Sequence, residues 1–98
     1  MDDMTPLGRL FEEVRRDFFD REGVHLSYAD IARRGGNVIG AKRVHQMATK
    51  PIRDLPPTET IKAIAKGLAV PYSVVLERAL LSAGYELPGR VTHDRQTG

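Results

Sequence analysis

The placement of proline and glycine does most to decide what this chain can become. Thr5-Pro6, Gly23, Gly35-Gly36, Pro51, Pro56-Pro57, Pro71 and Gly84 stand at intervals that leave only helix-length segments between them. Proline is accepted at the first helical position but not in the interior, and glycine is favoured just past a helix end. Between these marks apolar residues recur at steps of three and four. Leu7, Leu10, Phe11, Val14 and Phe18 form one stripe, and Ile61, Ile64, Ala65 and Leu68 another. No alternating run is bounded by hairpin turns, so strands are not expected. The expected fold is therefore all-α, with five helices.

The first helix starts at Thr5-Pro6 and ends near residue 22. The second opens at Ser27, where Asp30 stands three residues on to complete a capping box, and it presents Tyr28, Ile31 and Ala32 inward. Gly35-Gly36 stops it. The third restarts near Gly40 and runs to about Ala48, with Val44 and Met47 inward and Ile39 just before it. A proline-rich loop, PIRDLPP, leads to a fourth helix over 58–69 and a fifth over 72–84. Residues 5–87 read as one domain and 88–98 as a flexible tail without periodicity. A chain of 98 residues suits a single domain with a modest core.

Several function classes are disfavoured. There is no cysteine, so neither a disulfide framework nor a thiolate metal site is expected. No second ligand stands at a useful spacing from His45, which reads as DNA-facing or solvated, and His25 falls in a loop and His93 in the tail, so no metal is expected. Glu12, Glu13, Asp17 and Asp20 read as a solvated helix face. No G-x-S-x-G, P-loop or dinucleotide glycine pattern occurs, so neither an enzyme nor a cofactor is expected. No apolar run approaches a membrane span, and Met1 is followed by aspartates rather than a basic and then apolar leader. The expected location is the cytoplasm of a microbe.

Charge is unevenly distributed. Residues 1–26 carry four basic and seven acidic side chains, a balance of −3. Residues 27–53 carry Arg33, Arg34, Lys42, Arg43, Lys50 and Arg53 against Asp30 alone, a balance of +5. Residues 54–98 balance at zero, with five of each sign. A positive surface around the third helix would attract phosphate.

Two short helices joined by a glycine-bearing turn make a helix-turn-helix. With Val44 and Met47 inward, Ala41, Lys42, His45 and Gln46 face away and Arg43 lies to one side. A helix seated so can enter the major groove. There, Lys42 and Arg43 can donate to guanine or phosphate, Gln46 can pair with adenine, and Ala41 can touch a thymine methyl. Ser27 and Tyr28 are candidate phosphate contacts at the start of the second helix, and Lys50 and Arg53 extend the contact past the third.

The run LSYADIARRGG…VIGAKRVHQM, followed by LPPTETIKAIAKGLAVPYSVVL, resembles the XRE family, the lambda-repressor and Cro-like helix-turn-helix proteins. The resemblance covers about residues 7–84. It implies a five-helix domain that binds operator DNA, generally as a dimer. Its recognition positions fall on Ala41, Lys42, Arg43, His45 and Gln46, and its phosphate-contacting position at the start of the second helix falls on Tyr28. One departure is the turn: GGNVIG spans six residues where three or four are usual. Either the turn is enlarged or the second helix runs further; Asn37 then caps the third helix or contacts phosphate itself.

The expected function is a sequence-specific double-stranded DNA-binding regulator, a repressor by the family's habit. The apolar surplus of the fifth helix, Val74, Val75, Leu76, Ala79, Leu80 and Leu81, exceeds one stripe; with Tyr85 and Leu87 it is read either as a central buried helix or as part of a homodimer interface. The rival reading is an antitoxin-like or protein-interaction module on the same fold.

Overall fold

The computed structural model describes residues 4–85, and within them the protein is all-helical. Five helices follow one another: α1 (Pro6–Glu22), α2 (Tyr28–Arg34), α3 (Ala41–Thr49), α4 (Thr58–Leu68) and α5 (Tyr72–Ser82). The proposed tail 88–98, Leu87 and His93 lie outside the described residues.

The helix ends follow the expected chemistry. Thr5 caps α1 through its side chain, which accepts from the Gly8 N–H at 2.9 Å, with Pro6 at the first helical position. Gly23 ends α1 in the left-handed region, at φ 80°. Ser27 and Asp30 form a reciprocal capping box on α2. The α2 C-terminus closes in a Schellman arrangement: the Asn37 N–H donates to the Ala32 carbonyl at 2.9 Å and the Gly36 N–H to that of Arg33 at 3.0 Å. Gly36 and Asn37 both take positive φ, 87° and 57°. The connection over 35–40 is thus an enlarged turn, and α2 does not run on.

The core forms where these helices meet. The pairs in contact are α2 with α3, α1 with α5, α2 with α4, α4 with α5, and α1 with α3. Leu7 and Phe11 of α1, Ile31 of α2, Val44 and Met47 of α3, Ile61 and Ile64 of α4 and Val75 of α5 are the fully buried large side chains. Among the described residues no polar or charged residue is buried, so the core is purely apolar.

Three glycines let backbones touch. A Cβ on Gly35 would run into the Ala63 carbonyl, and one on Gly67 into the Ile31 carbonyl, so α2 and α4 approach each other reciprocally. A Cβ on Gly8 would lie 2.5 Å from the Ala48 carbonyl oxygen, so α1 and α3 are equally close there. Gly35 was expected as a helix stop; its φ of −84° is ordinary, and what the position demands is the missing side chain. Among the described residues no helix is long and apolar enough to cross a membrane.

Candidate nucleic-acid interface

The third helix owes its orientation to its inward row. Val44 and Met47 are each 1% exposed, Ala48 is buried against α1, and Ile39 packs on the core from the preceding turn. With 3.6 residues per turn, the rest of the helix sorts into three outward rows. Lys42, Gln46 and Thr49 form the ridge opposite the core. Ala41 and His45 lie on the flank next to α2. Arg43 and Lys50 lie on the other flank, next to the 51–54 segment. Ala41, Lys42, Arg43, His45, Thr49 and Lys50 are exposed and Gln46 is half-buried. Thr49 was not among the expected contacts; its hydroxyl donates to the His45 carbonyl at 2.7 Å, within the helix.

The two flanks have different neighbours. On the α2 side, His45 meets the ring of half-buried Tyr28 edge-on, with centroids 5.1 Å apart. Behind Tyr28 stands Arg15 of α1. Its guanidinium lies 4.5 Å from the Tyr28 ring centroid, Nη1 donates to the Tyr28 hydroxyl at 3.3 Å and to Glu12 Oε2 at 3.2 Å, and Nε donates to the Leu26 carbonyl at 2.8 Å. Arg15 is a contributor that the helix pattern did not reveal, because its role depends on a contact with α2. On the other side, Arg43, Gln46, Lys50 and Arg53 share a groove of about 450 Å³, whose more buried lining residues are Met47 and Ile52.

Ser27 is occupied as a cap. Its N–H donates to Asp30 Oδ2 and its hydroxyl accepts from the Asp30 N–H, each at 3.0 Å. Hydrogen bonds that the Asp30 carboxylate accepts from Ser27, from its backbone N–H first and its hydroxyl second, hold the carboxyl below its ordinary pKa, with Arg33 adding to the effect. Asn37 is exposed at the turn. It does not cap α3: Gly40 is the N-cap, and no side chain bonds there.

The basic segment divides in space. Arg33 pairs with Asp30 along α2. Arg34 points over Phe18 of α1, at 5.5 Å, in company with Arg21 at 5.7 Å. Lys42, Arg43, Lys50 and Arg53 stay exposed around α3, and among the described residues none of the four pairs with a carboxylate. Elsewhere among the described residues Arg15, Arg21 and Arg78 have Glu12, Glu22 and Glu13 within reach, whereas exposed Arg16, Lys62 and Lys66 share the unpaired state of the α3 cations. Among the described residues no three histidine or carboxylate side chains gather as a metal-holding group.

Compared with known family models, curated proteins and solved structures, the chain matches none.

Proposed function

We propose that this protein is a sequence-specific double-stranded DNA-binding regulator of the lambda-repressor and Cro-like helix-turn-helix type, acting as a repressor by occupying its site rather than by catalysis. The observation that carries this reading is the set of four exposed cations around α3, Lys42, Arg43, Lys50 and Arg53, left without carboxylate partners beside a helix firmly anchored on its other face. An α-helix with its side chains is about 10–12 Å across, close to the width of the major groove of about 12 Å. In this reading the Lys42–Gln46 ridge, with Ala41 and His45 beside it, reads base edges. Lys50 and Arg53 meet phosphates of the backbone, with Tyr28, Ser27 and Asn37 on the opposite side.

A homodimer is part of the proposal. In α5 only Val75 and Ala79 are fully buried, whereas Leu76, Leu80 and Leu81 are half-exposed and Tyr85 is exposed. A symmetric pair joined there would set two copies of α3 about one DNA turn apart, roughly 34 Å.

Selection of bound duplexes from a random DNA pool, near physiological salt, tests both parts. An enriched palindrome is the expected result. An enriched asymmetric motif would retain the regulator and remove the dimer. Weak, salt-sensitive binding without enrichment would overturn the reading in favour of a protein-interaction module.

A further inference from the structure

The groove on the Arg43 flank of α3 is larger than contact with a DNA backbone requires. One phosphate needs only a cation at the surface. Here Arg43, Lys50 and Arg53 surround a space of about 450 Å³, which lies in the range of small-molecule sites. The apolar part of the lining is exposed Pro51 and half-buried Ile52, with Met47, 1% exposed, behind them. Gln46 adds an amide that both donates and accepts. Asp54 is the single acidic side chain on the wall, so the groove keeps a positive balance. Cations beside an apolar patch complement a molecule with an anionic end joined to a flat or apolar body.

We propose that this groove binds a nucleotide unit, its phosphate held by Arg43, Lys50 and Arg53 and its ring lying over Pro51 and Ile52. The same chemistry has two sources, a free mononucleotide or a nucleotide of bound DNA. Because Arg43 and Gln46 belong to α3, a free nucleotide and a duplex engage the same side chains and exclude one another. Intracellular nucleotide would then act as a signal that releases DNA. That regulatory consequence rests on the DNA-binding reading above, whereas the site itself does not.

The test is a titration of the full chain, followed by the methyl resonances of Met47 and Ile52. Adenosine monophosphate, adenosine, inorganic phosphate and a short duplex are added separately. The expected result is a saturable shift of both methyls with adenosine monophosphate, tighter than with adenosine or phosphate alone. Arg53→Ala should weaken it about tenfold. Arg53 is exposed, so the variant should keep its circular dichroism and melting temperature; Lys50→Ala provides a second such reading. Shifts with the duplex but not with the mononucleotide, again lost in Arg53→Ala, would assign the site to DNA as its source and remove the signalling role. Inorganic phosphate matching the mononucleotide in affinity would overturn the ring-binding part. Silence of both methyls to every ligand would overturn the site. Mononucleotide binding in a protein that enriches no duplex would leave the groove standing and sink the DNA reading alone.

Discussion

Tyr28 and His45 meet edge to face at 5.1 Å, which ties the first residue of α2 to the outward flank of α3. The Arg15 guanidinium also lies over the tyrosine ring, so three helices converge on one ring. Removing the ring should therefore loosen α3 as well as α2. Tyr28→Ala is expected to lower stability by about 2–3 kcal/mol, somewhat less than for a fully buried aromatic. Tyr28→Phe keeps the ring and loses only the hydroxyl that accepts from Arg15, so about 0.5–1 kcal/mol is expected. Urea denaturation of both variants checks this. Equal losses would shift the weight from the ring to the hydroxyl.

The ridge and the flank of α3 should respond differently to substitution. Lys42→Ala is expected to weaken binding to a selected duplex by about 1–3 kcal/mol and to relax sequence preference. Lys50→Ala should weaken all duplexes alike and reduce the salt slope by about one. Equilibrium titrations at several salt concentrations, on selected and scrambled duplexes, separate the two patterns. Identical behaviour would mean that the ridge does not read bases.

Gly67 lies inside α4, where alanine would ordinarily add about 0.8–1 kcal/mol of helix stability. Here the added Cβ meets the Ile31 backbone carbonyl, which cannot rotate away as a side-chain end could. Overpacking of this kind costs about 1–3 kcal/mol or more, so Gly67→Ala should be net destabilising. Gly36→Ala has open space but a φ of 87°, and should cost about 1–2 kcal/mol through the backbone alone. A stable Gly67→Ala variant would show that α2 and α4 can separate without loss.

Asp30 gives the molecule a pH dependence of known sign. Its native pKa is depressed, chiefly by the hydrogen bonds its carboxylate accepts from Ser27. The contribution is present at pH values above the ordinary aspartate pKa and disappears as pH falls through the native one. Asp30→Asn should therefore be less stable than the parent at neutral pH, with the gap narrowing in acid. Denaturation midpoints against pH for the two proteins measure this. A gap that is constant with pH would contradict it.

The helix ends were legible because their determinants are local. Thr5-Pro6, Gly23 and the Ser27–Asp30 box act within one turn of the chain, and the apolar steps of α1 and α4 name their own buried faces. What was not legible depends on distant partners. Nothing near Gly35, Gly67 or Gly8 distinguishes a glycine needed for its φ from one needed for its missing side chain, since the obstructing carbonyls belong to other helices. The basic run of 27–53 read as one positive surface because sequence counts charge without direction; Arg33 and Arg34 turn elsewhere once α2 is in place. The six-residue turn fell between two readings, and the successive left-handed Gly36 and Asn37 decide for the enlarged one.

The anchors of α3, Val44, Met47 and Ala48, share no position with its ridge of Lys42, Gln46 and Thr49. Substitution along the outward ridge is thereby uncoupled from the packing that folds the helix. Descendants of this chain, or a combinatorial library built on it, can diverge at the ridge positions while inheriting one unchanged interior.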